Sequence, residues 1–305
     1  MSSSIARVVD QVGGIILGKT TQVRLALACL LARGHLLIED VPGVGKTTLA
    51  HALAASLGLA FHRIQFTSDL LPADILGVSI YDRDKARFHF HPGPVFSQIV
   101  LADEVNRATP KAQSALLEAM EEHQVTVEGE TRRLPEPFFV IATQNPSYQV
   151  GTFPLPESQL DRFLMRLELG YPDGAAERAL LLGDSRRDLL AALQPCLQPA
   201  ELLECQREVQ RVHASSALVD YVQALLAWTR GTPDYTAGLS PRAGLALLQA
   251  ARSWAYLDAR THVLPEDVQA VLPGIVSHRL KRRGETGSAP ADELAADLVR
   301  RVPVP

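Results

Sequence analysis

Only three of the 305 residues are cysteine: Cys29, Cys196 and Cys205. An odd number without Cys-x-x-Cys spacing offers neither a disulfide framework nor a zinc site. The thiols read instead as small buried apolar residues in a reducing compartment. Aromatic side chains are also scarce, at 6%, which disfavours a platform for stacking single-stranded bases. Neither sign of charge dominates, because 30 Lys and Arg face 34 Asp and Glu, a formal charge of −4 with a pI near 6.1. Binding to nucleic acid is therefore not expected. No stretch reaches roughly 18 apolar residues without a charged residue or His breaking it, so no membrane span is expected. The opening MSSSIARVVDQV lacks the basic segment and long apolar run of a signal peptide. These absences point to a soluble, cytoplasmic protein.

What is present is material for a large core. Hydrophobic residues make up 47% of the chain and mean hydropathy is +0.04, too apolar for disorder. A prior of roughly 150 residues per domain suggests two domains, and the pattern changes at about residue 171. Before it, short apolar runs alternate with helical patterns: HLLIED, TTLAHALAASLG, SQIVLADE, KAQSALLEAME and FFVIATQNP. Strands alternating with helices predict an α/β core, a parallel sheet covered on both faces. After Tyr171-Pro172-Asp173-Gly174 the strand-like runs vanish, and Pro172 and Gly174 read as a hinge. AERALLLGD, PAELLECQREVQRVH, ALVDYVQALLAWTRG, PRAGLALLQAARSWAYLDAR and PEDVQAVLPGIVSHRL then predict a helical bundle of about 100 residues. The stretch RRGETGSAP from Arg282 to Pro290 reads as a loop before a last short helix.

Two stretches compete as phosphate-binding loops. Gly13-Gly14-Ile15-Ile16-Leu17-Gly18-Lys19-Thr20 fits GxxxxGK[ST] in full, whereas Asp40-Val41-Pro42-Gly43-Val44-Gly45-Lys46-Thr47 has Asp40 where the pattern has glycine. Such a loop works only between an incoming strand and an outgoing helix, where backbone N–H groups converge on phosphate at the helix terminus. Ile5, Val8, Val9 and Val12 precede the first candidate with helical spacing. The strand-like His35-Leu36-Leu37-Ile38-Glu39 precedes the second, and an Ala-rich helix follows Thr47-Thr48. The second is therefore the phosphate loop. Gly43 and Gly45 let the backbone approach the phosphates, Lys46 supplies charge to the β/γ oxygens, and Thr47 offers a hydroxyl to Mg²⁺.

A phosphate loop requires a second strand ending in an acid, and Ile99-Val100-Leu101-Ala102-Asp103-Glu104 supplies it. Asp103 suits the Mg²⁺ hydration shell, and Glu104 suits the polarisation of water for in-line attack. A third strand, Phe138 to Thr143, ends in Gln144-Asn145-Pro146. Asn145 reads equally well as a water-orienting amide or as a turn residue, since Asn-Pro commonly opens turns.

At this point the residues resemble the AAA+ ATPases, and within them the MoxR type. The core stretches are GHLLIEDVPGVGKTTLA (34–50), DLLPADILGVSIYD (69–82), GPVFSQIVLADEVNRATPKAQSALLEAMEE (93–122) and FFVIATQNP (138–146). FPLPESQLDRFLMRLELGYP (153–172), GLSPRA (238–243) and VLPEDV (263–268) extend the match in order across nearly the whole chain. The resemblance implies a P-loop NTPase core over 1–171 with two inserted hairpins, and an all-α lid over 172–305. It implies ATP and Mg²⁺, with Pro42, Gly43, Val44, Gly45, Lys46, Thr47 and Thr48 on the nucleotide and Thr47 and Asp103 at the metal. Gly18 and Lys19 correspond to the adenine side. Beside the catalytic Glu104, Asn145 corresponds to a first sensor, Arg162 to an arginine finger reaching the neighbouring subunit, and Arg242 to a second sensor on the lid. Both arginines would spread positive charge over phosphoryl oxygens in the transition state. Without the resemblance, Arg162 reads as a surface partner of Asp161 or Glu157. Ser240-Pro241 predicts a helix start that carries Arg242 in its first turn, aimed at the cleft between the domains.

The implied assembly is a homo-oligomeric, hexameric ring that remodels or matures a partner with a von Willebrand factor A-type domain. The MoxR type belongs to the helix-2-insert branch, whose hairpins point at the pore or at clients. Residues 69–95 contain the alternating Phe88-His89-Phe90-His91, and 123–134 read as a hairpin turning at Glu128-Gly129-Glu130. His89 and His91 read as solvent-facing and, lacking further ligands, not as a metal site. Arg132-Arg133 reads as a solvated charge pair. Competing functions are a nucleotide-gated scaffold with little turnover, a helicase-type motor and a chelatase motor subunit.

Overall fold

The computed structural model describes residues 2–145, 152–183, 185–284 and 290–304. Pro146 of the Asn-Pro pair and residues 285–289 of the expected loop lie outside the described residues. The first half runs α1 (Ser2–Ile15), α2 (Thr20–Leu31), β1 (Leu36–Glu39), α3 (Lys46–Ser56) and β2 (Phe61–Gln65). A short α4 (Pro72–Leu76) leads into the hairpin of β3 (Gly77–Asp82) and β4 (Arg87–Pro92). Then come β5 (Ile99–Asp103), α5 (Pro110–Glu122), a second hairpin of β6 (Gln124–Val127) and β7 (Glu130–Arg133), and β8 (Phe139–Gln144). The half closes with α6 (Glu157–Leu160) and β9 (Met165–Leu167). The second half is helical: α7 (Gly174–Leu182), α8 (Arg186–Ala191), α9 (Pro199–Arg211), α10 (Ser216–Gly231), α11 (Pro241–Leu257), α12 (Pro265–Val276) and α13 (Ala291–Arg301).

Five strands form one parallel sheet in the order β2-β5-β8-β1-β9. Strand β1 sits between β8 and β9, yet its crossover through α3 leads to β2 at the far edge. That reversal opens a crevice at the carboxyl ends of β1 and β8, where open α/β sheets bind ligands. Alternation along each strand sorts side chains between two layers. Leu36, Ile38, Ile99, Leu101, Phe139 and Ile141 face α1, α2, α3 and the lid helices, in one hydrophobic cluster that also holds Leu202, Leu247 and Val271. Leu37, Val100, Ala102, Val140 and Ala142 face the other way, onto Leu116, Leu117 and Met120 of α5. Core and lid are thus packed through one continuous apolar interior.

Several local expectations need amendment. Strands β2 and β9 carry no apolar run: β2 is an edge strand in which only Ile64 is buried, and β9 has three residues. Charged and polar side chains on an edge strand deter further pairing. Helix α8, six residues long, is too short to show a period. Cys29 and Cys205 are buried, but Cys196 is only half-buried and its Sγ donates to Gln11 Oε1 at 3.4 Å. The second hairpin turns at Glu128-Gly129, both with positive φ (53° and 81°), the two-residue geometry that matches strand twist. Of the Arg132-Arg133 pair, Arg133 is exposed but Arg132 is half-buried: it pairs with Glu130 and stacks 4.0 Å from the Phe90 ring centroid, joining the two hairpins. His89 and His91 are exposed. Among the described residues, no helix is long and apolar enough to cross a membrane.

Candidate active site

The stretch 13–20 has no incoming strand, because Gly13 and Gly14 lie inside α1. Residues 40–45 instead connect buried β1 to the first turn of α3. Gly43 and Gly45 take φ of +88° and +97°, a region that L side chains seldom enter. Gly45 is the N-cap of α3, so the helix begins at Lys46 and its first N–H groups face the loop, as anion binding requires. Lys46 is 8% exposed. Its ammonium donates to Asp40 O, to Val41 O at 3.1 Å and to Asn145 Oδ1 at 3.2 Å. Burial lowers the Lys46 pKa, against the pull of Asp40, Asp103, Glu104 and Glu39. The four acids oppose the cost of desolvating the ammonium, and its hydrogen bonds hold it at the loop.

The acids come from the end of β5. Asp103 Oδ2 lies 3.5 Å from Thr47 Oγ1 and accepts from Arg63 Nε at 3.0 Å and Nη2 at 2.6 Å, while Thr143 Oγ1 donates to Oδ1. Arg63 and Gln65 reach the site because they share one face of β2 in register with β5. Glu104 takes φ +56°, ψ +47°, a left-handed conformation uncommon for a residue with a side chain. Its backbone N–H donates to Thr143 Oγ1 at 3.0 Å. Its carboxylate accepts from Arg107 Nη1 at 2.6 Å and Gln65 Nε2 at 3.2 Å, with Asn145 Nδ2 at 3.5 Å. Asn145, 7% exposed, thus stands between Lys46 and Glu104, and its own carbonyl accepts from Asn106 Nδ2 at 3.2 Å.

Arg162 and Arg242 lie elsewhere, together. Arg242 Nη2 pairs with Glu121 Oε1, and Arg162 Nε stands 3.8 Å from Glu121 Oε2 while its Nη1 donates to Leu117 O. Asp161 and Glu157, the neighbours expected to pair with Arg162, are taken by Arg279 and Lys281, each at 2.7 Å. Ser240 Oγ does cap α11, accepting from Ala243 N at 3.1 Å, and Arg242 follows Pro241 in the first turn. The two arginines line a cavity of about 410 Å³ between core and lid, with Arg33, His35 and Arg252. This cavity is at the end where β1 and β9 begin: Met165 is in register with Leu36, and Leu164 N donates to His35 O at 2.8 Å. The phosphate loop follows the other end of β1, so about 13 Å of strand separates the two groups. Neither arginine touches Lys46, Asp103 or Glu104 of its own chain.

Gly18 and Lys19 face the linker into the lid. Lys19 Nζ donates to Tyr171 O at 2.7 Å, and a Cβ on Gly18 would lie 3.1 Å from Ala176 Cβ. Sequence reasoning passed over Arg63, Gln65, Arg107, Thr143, Glu121 and Arg279. Edge-strand polar residues carry no motif, and Glu121 looks like any acid on the outer face of a helix. Arg279 is 6% exposed at its side chain and grips the loop bearing Arg162, bonding Asp161 Oδ1 at 2.7 Å, Phe163 O at 2.8 Å and Leu164 O at 3.1 Å.

This geometry agrees with comparison to known proteins. The model of the ATPase family associated with various cellular activities (AAA) matches residues 35–165, and that of the AAA lid domain matches 227–300. The uncharacterised YeaC of Bacillus subtilis is 45% identical over 303 residues, 99% of this chain and 95% of that protein. Chaperone MoxR1 of Mycobacterium tuberculosis is 41% identical over 305 residues, 97% of this chain and 80% of the relative. The crystal structure of a candidate ATPase from Cytophaga hutchinsonii superposes with a TM-score of 0.89 at 36% identity, covering 100% of this chain and 96% of the other. A site built for ATP hydrolysis, a matching lid and relatives at this identity over nearly the full length lead to one assignment: the chain belongs to the MoxR family of AAA ATPases.

Proposed function

We propose that this ATPase works as a Mg²⁺-dependent hexameric ring that remodels or matures a partner protein carrying a von Willebrand factor A-type domain. The observation that carries the ring is the separation of the two charged clusters. Lys46 supplies one cation to a triphosphate, whereas Arg162 and Arg242 stand together at the opposite end of the sheet, 31% and 49% exposed. This placement supports a role for Arg162 and Arg242 at the nucleotide of a neighbouring subunit. The chaperone role is supported by the name of the Mycobacterium tuberculosis relative. Unpaired thiols suit the cytoplasm, where the proposal places the protein.

In this reading, Gly43, Gly45 and the first turn of α3 cradle the phosphates, flanked by Pro42, Val44 and Thr48. Lys46 exchanges its protein acceptors for β/γ oxygens. Gly18 and Lys19 border the base. Thr47 Oγ1 and Asp103 Oδ2 form a pair of hard oxygen donors suited to Mg²⁺ bound jointly with phosphate and water. When bound, Mg²⁺ would neutralise charge developing on the phosphoryl oxygens. Glu104 accepts a proton from water as its oxygen bonds to the γ-phosphorus and the bond to the β-bridging oxygen breaks, giving ADP and phosphate. Asn145 holds that carboxylate and Lys46 in register, and the neighbour's Arg162 and Arg242 stabilise the equatorial oxygens. A nucleotide-gated scaffold would have no use for Glu104.

ATP hydrolysis across a protein dilution series, with mass photometry on the same samples, tests the proposal. Specific activity should rise steeply as six-chain particles form, and a purified von Willebrand factor A-type domain from the same organism should change turnover. Flat activity from monomers would contradict interface catalysis. Indifference to every such domain would contradict the partner assignment.

A further inference from the structure

Asp40 stands where the general phosphate-loop pattern has glycine, and the chemistry above leaves its carboxylate without a task. We propose that Asp40 is a positioning residue that joins the phosphate loop to the linker between core and lid, so that nucleotide on Lys46 sets the placement of the lid. This rests on the reading of residues 40–47 as the nucleotide site.

The carboxylate is divided between two segments. Oδ1 accepts from Val41 N at 2.7 Å, within the loop, while Oδ2 accepts from Leu169 N at 2.7 Å and Gly170 N at 2.6 Å. Leu169 and Gly170 lie just past β9, where the chain leaves the sheet for the lid. Bonds from backbone N–H to an ionised carboxylate are roughly twice as strong as neutral ones, and glycine at position 40 would make none of the three. Further contacts hold the linker beyond that point. Lys19 holds Tyr171 O, Asp173 Oδ1 caps α7 by accepting from Ala176 N at 2.8 Å, and Gly18 packs closely on Ala176.

The other end of the connection is Lys46, whose ammonium donates to the carbonyls of Asp40 and Val41. A triphosphate competes with these carbonyls for the ammonium. Drawing Lys46 away frees both carbonyls, while Asp40 N–H stays on Gln144 O at 3.2 Å and Val41 N–H stays on the Asp40 carboxylate. A shift of residues 40–41 is thereby handed to 169–171 and on to α7. Backbone contact alone would let the loop rearrange without moving the linker.

The experiment compares Asp40→Ala, Asp40→Asn and Lys46→Ala with the unmodified chain. It reads fluorescent ADP binding, ATP turnover, and amide hydrogen exchange over 168–176 with and without a non-hydrolysable ATP analogue. Asp40→Ala should bind ADP within about threefold of the parent, lose turnover about tenfold, and abolish the effect of the analogue on exchange in the linker. In Asp40→Asn, a side-chain amide that turns its carbonyl oxygen to the linker keeps both crossing bonds and gives up only Val41. Asp40→Asn should therefore recover most of the turnover and of the exchange response. Parent-like turnover and exchange response in Asp40→Ala would overturn the proposal. Loss of ADP binding in Asp40→Ala would also overturn it, by making the carboxylate part of the pocket itself. Retained ADP binding in Lys46→Ala would instead remove the underlying reading of the loop, and this inference with it.

Discussion

Where the strands of the central sheet end, Asn145 stands 3.2 Å from Lys46 and 3.5 Å from Glu104, Asp103 is held by Arg63 and Thr143, and Lys46, Asp103 and Asn145 are nearly buried. Where the strands begin, Arg162 and Arg242 share Glu121 on a half-exposed rim. In the proposed function the first cluster presents fixed distances to a phosphoryl group, and strand ends packed on two faces provide rigid mounts. The second would meet a neighbouring subunit, and its accessible guanidinium groups with a replaceable carboxylate partner suit that role. Exposed ion pairs of this kind contribute only about 0–1 kcal/mol, a small obstacle to exchanging Glu121 for phosphate. In the proposed ring, one chain would carry two half-sites that face different ways.

The sharpest way to break this comparison is at Lys46. Lys46→Ala should weaken nucleotide binding by about 100-fold or more, measured with a fluorescent nucleotide, while Lys19→Ala should keep most of it. Equal losses would mean that the 13–20 stretch holds the nucleotide as much as the 40–47 loop does. Arg162→Ala should retain ATP affinity and lose turnover by about 10³-fold or more; a loss in binding instead would place Arg162 in its own chain's site. Glu104→Gln should bind ATP and slow hydrolysis by about 10²–10⁴-fold, and normal turnover would remove its role as base.

The smallest effect concerns pH. At the edge where strands begin, His35 is buried with Nδ1 accepting from Val140 N, and burial pushes its pKa down from 6.5 to about 4. Buried His278, on Phe163 O, is lowered well below its usual value for the same reason. A histidine whose folded pKa is depressed favours the folded state fully above the unfolded value near 6.5. That contribution is lost as pH falls from 6.5 through 4, where the unfolded chain binds the extra proton. Stability to denaturant should fall by about 2 kcal/mol from His35 between pH 7.5 and 5. A flat profile over that interval would show that the histidines at this edge are not held neutral.

Legibility in the sequence followed the same divide. The loop at 40–47 and the acids at the end of β5 each close an apolar strand and obey a spacing set by phosphate chemistry, so short-range pattern singled them out, whereas pattern alone left Asn145 divided between a water-orienting amide and a turn residue. Arg162 and Arg242 were singled out only through family resemblance, because no local rule would link an arginine to a nucleotide in another chain. Glu121 and Arg279 left no trace, since their partners are brought by tertiary folding. Strands β2 and β9 were also hidden: one is a polar edge and the other only three residues long. Arg132 misled because a charge pair at a hairpin tip gives no hint that the neighbouring hairpin offers Phe90 beneath it.

The most direct test of two half-sites meeting between subunits is to mix Arg162→Ala with Glu104→Gln. Each alone should assemble and bind ATP yet hardly hydrolyse it. In mixed rings, an intact catalytic acid from the first variant meets an intact arginine from the second. ATP turnover should therefore reappear and peak at intermediate ratios. No recovery at any ratio, in particles shown by mass photometry to contain both variants, would contradict it.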